Sequence, residues 1–226
     1  MTTSRYKSSI PANAKVRILE RYESGATRHA EYHLAGKRVG VRWFFETGEL
    51  ECEYALKNGK KQGTEYDWHL PGFLCSAEPF VNGVCHGAFR QWGNDGRPIG
   101  SYRMVRGTGI DLWQQQRPDG SIYLSEVAHC RSGSLHGFQW NIEDNQKSVW
   151  SEHHCQNGLP HGIEREWNQA KRLRRGYPKY YIAGKAVTKR QYLKAAKSDP
   201  TLPPLQPQDN KPARTFPPRI ARHLRR

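Results

Sequence analysis

The sequence has no run of 18 apolar residues, only two methionines, and a mean hydropathy of −0.89. The missing apolar run excludes a membrane-crossing helix. The opening "MTTSRYKSSIPANAKVRILE" lacks the apolar segment of a secretory signal. Cysteine is scarce: the chain has five, an odd number, with no C-x-x-C spacing and no disulfide framework. A soluble protein of a reducing, cytoplasmic compartment is therefore expected. Acidic residues nearly vanish from the last quarter, where residues 171–226 carry 16 Lys/Arg against 2 Asp. Residues 1–170 carry 20 Lys/Arg against 19 Asp/Glu, so the net charge of +15 belongs to the C-terminal end.

Glycine is abundant and periodic. The spacing G-x-x-x-G occurs at Gly36/Gly40, Gly59/Gly63, Gly83/Gly87, Gly133/Gly137 and Gly158/Gly162, with a shortened "GTG" at Gly107/Gly109. Both glycines of each pair are expected to serve the turn. The first glycines of these pairs fall 23 to 26 residues apart. A second series (Gly25, Gly48, Gly72, Gly96, Gly120) lies 11 or 13 residues before them, and Asn145 takes the sixth place. Two turn positions per repeat of about 24 residues mean two strands per repeat, a β-hairpin repeated about six times. Between turns run "VRWFF", "TEYDW", "AFRQW", "IDLWQ", "FQWNI" and "IEREW", whose alternating aromatic and β-branched residues are a strand signal.

Segments such as "KNGKKQGTEYDW", "VNGVCHGAFRQW" and "QNGLPHGIEREW" resemble the MORN repeat, in the variant form found in bacterial YwqK-type antitoxin-like proteins. The resemblance covers roughly residues 14–187, and the fourth repeat departs from it with "RGTG", where a kink or bulge is expected. It implies an all-β fold, an elongated single-layer antiparallel sheet of tandem hairpins. It also implies a protein-interaction scaffold, with a toxin as the partner in an antitoxin-like pair. The historic MORN name adds anionic membrane surfaces as an alternative partner.

Around this array the sequence predicts a flexible N-terminus (1–13), a capping helix over 188–198 and a disordered, Pro-rich basic tail over 199–226. In the helix, Thr188 and Gln191 fit a capping box. The aromatics Trp43, Phe45, Tyr66, Trp68, Trp92, Trp140 and Trp167 are expected on one face. They form either a structural ladder between hairpins or a partner-binding groove. In the tail, Arg214, Arg219, Arg222, Arg225 and Arg226 are candidates for contact with nucleic acid or anionic lipid.

The chemically suggestive residues are Cys85-His86, His129-Cys130 and His153-His154-Cys155. Neighbours on a strand point to opposite faces, and equivalent positions in adjacent hairpins lie about 10 Å apart, too wide for a disulfide or a single zinc. His86, His136 and His161 share one repeat position before the second glycine. No nucleophile, phosphate-loop or metalloprotease motif is present. The sequence thus predicts no enzyme, no metal and no cofactor, and it does not define the oligomeric state.

Overall fold

The computed structural model describes residues 6–224. The chain is all-β, built of consecutive antiparallel hairpins with two short α-helices, and it divides into two compact units after Gly107. That boundary falls in the shortened fourth repeat.

The first unit holds β1 (Lys15–Arg21), β2 (Thr27–Leu34), β3 (Lys37–Phe44), β4 (Leu50–Lys57), β5 (Lys60–Lys61), β6 (Gly63–His69), β7 (Phe73–Val81), β8 (Val84–Cys85), β9 (Gly87–Trp92) and β10 (Pro98–Val105). Each main strand pairs with the next. The second holds β11 (Thr108–Gln116), β12 (Ile122–Arg131), β13 (Ser134–Ile142), β14 (Val149–Gln156), β15 (Leu159–Pro160), β16 (Gly162–Glu166), β17 (Lys179–Ile182) and β18 (Lys185–Val187). They are followed by α1 (Lys189–Ala195) and α2 (Pro218–Ala221).

The two glycine series make two different turns. At one end, pairs such as Asn58-Gly59 (φ 51° and 74°) and Asn157-Gly158 (φ 51° and 80°) have both central residues at positive φ. This is the I′ turn, whose twist matches that of the strands. Ala183-Gly184 repeats the geometry and closes a further hairpin. At the other end, three-residue loops carry the second series at positive φ. In the sixth loop the positive-φ residue is Gln146 (φ 56°), not Asn145. Asn145 instead accepts hydrogen bonds from the backbone N–H groups of Lys147 (2.8 Å) and Ser148 (3.0 Å), so its polar side chain builds the turn from within.

The second glycine of each G-x-x-x-G is not a turn residue, contrary to the expectation from spacing. Gly40 lies inside β3 and Gly137 inside β13, while Gly63, Gly87 and Gly162 open β6, β9 and β16. Gly137 pairs with Cys155 on one side, and on the other it sits in the bulge where β13 slips against β12 around His129. Its φ of 107° suits glycine, and a Cβ there would come within 3.2 Å of the His129 Cβ. The reason for glycine at this place is thus an irregular strand crowded by its neighbour, two to four residues beyond the reversal itself.

Each returning strand also carries one unpaired residue: Arg28, Glu51, Cys75, Ile99, Ser125 and Trp150. These are β-bulges, which bend a strand and re-aim a side chain.

The described parts of both ends, residues 6–13 and 199–224, differ from the flexible segments expected, while residues 1–5 and 225–226 lie outside the described residues. In the first unit Ile10 is buried against Gly40, and Tyr6 donates to Glu53 Oε2 (2.6 Å) while meeting the rings of Tyr66 and Trp68 edge-on. A Cβ at Gly40 would overlap the Ile10 side chain. Gly40→Ala is therefore expected to release the N-terminal segment and cost about 1–3 kcal/mol in urea unfolding. The Ile10→Ala background should absorb most of that cost.

The basic tail is not disordered: Leu202, Phe216 and Ile220 are buried in the second unit, with Ile220 fully so. Val149 N–H donates to Pro212 C=O (3.0 Å), and Ser148 bridges Ala213 as a short strand pair. The reason is composition of the sheet face rather than of the tail. Val127, Trp140, Val149, Ile163 and Trp167 form an apolar surface that a single layer leaves in water. Three apolar side chains spaced along an extended segment suffice to cover it. Helix α1 has the Thr188/Gln191 capping box. Its Tyr192, fully buried on Ile163 and Leu202, donates to Pro203 C=O (2.5 Å). Burial pushes the Tyr192 phenol up to about 12, so it stays a donor.

Candidate interaction surface

Cross-strand pairs define which side chains share a face. In the first unit Trp43 lies opposite Cys52, which lies opposite Asp67; Arg42 lies opposite Glu53, which lies opposite Tyr66. Trp43 and Tyr66 therefore sit on opposite faces, and the seven aromatics do not form one row. The cause is register. Past the I′ turn the pairing slips by one residue in the first hairpin and by two in the second. A slip of one turns every later side chain over.

Most of these aromatics are taken up by the chain itself. Trp43 stacks on His29 (3.9 Å between centroids), and Tyr66 and Trp68 pack under Tyr6. Phe45 opens a loop and Trp92 ends β9, both half-buried. Trp140 is buried between Phe138 (5.2 Å) and Phe216 (5.6 Å) and donates its Nε1–H to Glu152 (2.8 Å). Trp167 is buried beneath Arg214 (5.0 Å) and donates to Asn210 C=O (2.8 Å). These aromatics are mainly ladder and core.

The tail arginines divide similarly. Arg214 is engaged inward, with Nε donating to Glu152 Oε2 (2.8 Å). Arg219 and Arg222 are exposed, and Arg225 and Arg226 lie outside the described residues. Glu152 is the hub of this face. Burial alone would raise its carboxyl, but Arg214, Arg165 and the Trp140 indole hold it below its ordinary value.

The three histidines of the repeat do a structural job. His86 Nδ1 accepts from Arg106 N–H (3.1 Å), His136 Nδ1 from Asn157 N–H (3.4 Å) and His161 Nδ1 from Ala183 N–H (3.1 Å). Gln62 Oε1 and Thr108 Oγ1 make the same bond to Asn82 (2.9 Å) and Ser132 (3.1 Å). At each of these positions a side chain staples the I′ turn of the next hairpin. His86→Ala is expected to cost about 1 kcal/mol by thermal unfolding, while His86→Gln, which supplies the acceptor that Gln62 uses, should be close to wild type.

One cluster the sequence did not reveal is Cys52, Glu65 and Asp67, whose donor atoms lie within 4.8 Å of one another. Cross-strand pairing brings them together, a relation invisible from spacing alone. Glu65 is ion-paired with Lys61, and Asp67 accepts from Ser76 Oγ (2.7 Å). Burial raises the thiols of Cys52, Cys75 (to about 11) and Cys155, which keeps them protonated and poorly nucleophilic.

The other face of the second unit carries a cleft that sequence reasoning also missed. A row of paired residues crosses four strands: Trp113 opposite Glu126, then Asn141, then Ser151. Trp113, Glu126 and Asn141, with Tyr123, Asp144 and Trp150, line an open depression of about 490 Å³. Trp150 is the bulge residue of β14 and stands 47% exposed. Glu126 accepts from Gln139 Nε2 (2.7 Å), Asn141 donates to Ser151 Oγ (2.7 Å), and Tyr123 donates to Gln115 Oε1 (2.7 Å). Glu126, Asn141 and Tyr123 are thus oriented by neighbours while retaining bonding capacity toward solvent. The only available signal was the pair Trp113 and Trp150, and the exposure of Trp150 comes with its place in a bulge. No helix of the described residues is long and apolar enough to cross a membrane. No protein-family model matches the chain, and a search of curated proteins returns no match.

Proposed function

We propose that the chain is a non-catalytic protein-interaction module of the cytoplasm. Its second unit would engage a protein partner through the Trp113–Tyr123–Trp150 cleft. The observation that carries this reading is Trp150, a large aromatic held outward on the sheet in a chain that covers Trp68, Trp140 and Trp167 with its own terminal segments. The resemblance to MORN-type repeats supports a scaffold role, and its antitoxin-like variants make a toxin one partner consistent with it. Anion contact through the tail is the weaker alternative, since Arg214 is committed to Glu152 and, of the candidate arginines among the described residues, Arg219 and Arg222 stand outward.

The test is affinity purification from the producing cell with wild-type chain and the Trp113→Ala/Trp150→Ala double variant, the fold being checked by circular dichroism. A stoichiometric protein recovered by the wild type and reduced at least tenfold by the variant is the expected result. Equal recovery by both, or no stoichiometric protein, defeats the proposal.

A further inference from the structure

We infer that the cleft is a receptor for the arginine side chain of an extended peptide segment in the partner, an inference that rests on the interaction reading above. The first argument is charge. The chain has a net charge of +15, yet this cleft is lined by Glu126, Glu143 and Asp144 and by no lysine or arginine. Lys171 offsets Glu143 (2.7 Å), and Arg117 donates to the Asp144 carbonyl (3.0 Å) rather than to its carboxylate. Glu126 and Asp144 therefore make no ion pair among the described residues. An occupant of opposite charge is the one whose burial such a site favours.

The second argument is how this protein itself holds guanidinium groups. Arg42 lies over the Tyr32 ring (4.7 Å) and pairs with Glu53 (2.7 Å); Arg28 lies over Tyr22 (5.7 Å) and pairs with Glu20 (2.6 Å). Arg214 lies over Trp167 (5.0 Å) and pairs with Glu152 (2.8 Å). In these three cases an aromatic face and a carboxylate act together, the combination suited to a planar, delocalised cation, whereas Arg117 over Tyr123 bonds the Asp144 carbonyl and the Ser121 hydroxyl instead of a carboxylate. The third case is the most direct, because the arginine comes from an extended, Pro-flanked segment lying across a sheet face. The cleft presents the same pair of elements. Trp113 lies directly across from Glu126, Trp150 stands beside Asn141, and neither tryptophan carries a cation over its ring among the described residues. Tyr123 already carries Arg117 (4.3 Å), which leaves the two tryptophans as the platform.

The experiment uses the full chain with ¹⁵N-labelled tryptophan, titrated with acetylated, amidated Ala-Ala-Arg-Ala-Ala. Parallel titrations replace Arg by Lys or by citrulline, which keeps the shape and loses the charge. Saturable shifts of the Trp113 and Trp150 indole signals are expected, weakened at least tenfold with citrulline and at least threefold with Lys. Glu126→Gln/Asp144→Asn should weaken the arginine peptide at least tenfold without changing the other indole signals. Equal binding of citrulline overturns cation recognition, and equal binding of Lys overturns the guanidinium preference. If the arginine peptide leaves both indoles unmoved, this inference fails. The interaction reading then still stands or falls separately on the double-variant purification.

Discussion

Glu152→Ala is expected to destabilise the second unit by about 3–5 kcal/mol in urea unfolding, among the largest effects of any single substitution. Glu152 and Arg165 are both almost fully buried, and Arg165 Nη1 donates to Glu152 Oε1 (2.5 Å). Removing the carboxylate leaves Arg165 charged, dry and without its main acceptor. Arg165 has little to fall back on: its Nε has no acceptor among the described residues, and Nη2 only faces Asp209 at 3.9 Å. Arg214 and the Trp140 indole lose their acceptor in the same step. The pH dependence has a definite sign. The folded-state carboxyl lies below its ordinary value near 4.5, so its stabilisation is fully present above pH 4.5 and is lost as the pH falls through the depressed value. Glu152→Gln should accordingly flatten the acid limb of the stability curve. A cost for Glu152→Ala below about 1 kcal/mol would mean that the hub does not exist in solution.

Phe216→Ala should cost about 3–5 kcal/mol and Ile220→Ala about 2–5 kcal/mol, values characteristic of core residues and not of a solvated tail. Phe216 meets Trp140 edge-on at 5.6 Å, and Ile220 is fully buried. Removal of residues 201–226 goes further, because it uncovers Val149, Trp140 and Trp167 together. The truncated protein should bind a hydrophobic dye and aggregate, with a lowered midpoint of thermal unfolding. Consequently a truncation of this kind does not isolate the effect of the tail's charge. Arg219→Ala/Arg222→Ala changes charge at two exposed positions and leaves the docked segment intact. If Phe216→Ala falls within about 0.5 kcal/mol of wild type, the tail does not cover the sheet.

The hairpin array was legible because turns make demands that few residues meet. An I′ turn needs two residues at positive φ, so a glycine recurs at its second position, preceded by Asn at 58, 82 and 157 and by Ala, Arg or Ser in the others. The second glycine of each pair was legible as a period but not as a role, since Gly137 is explained only by the His129 side chain across the strand. Facing was not legible. Trp43 and Tyr66 occupy the same place after their turn glycines, yet one residue of extra slip in the second hairpin puts them on opposite sides. The order of the tail was hidden for another reason. Leu202, Phe216 and Ile220 are isolated among prolines and arginines with no period, and what makes them core is a surface contributed by distant strands. The cleft escaped notice because Tyr123 lies on a returning strand that reads as polar and Trp150 owes its outward aim to a bulge. Cys85-His86 illustrates the opposite error to avoid. A pair that looks chemical by itself is explained once His86 is seen holding the next turn.

Those staples also have a direction. Gln62 serves Asn82, His86 serves Arg106, Thr108 serves Ser132, His136 serves Asn157 and His161 serves Ala183, so the holding side chain always comes earlier in the chain than the turn it holds. During synthesis each turn leaves the ribosome after its support is already in place. For these turns the order of support follows the order of synthesis, whereas Glu152 and Trp140 wait for Arg214 and Phe216 of the tail.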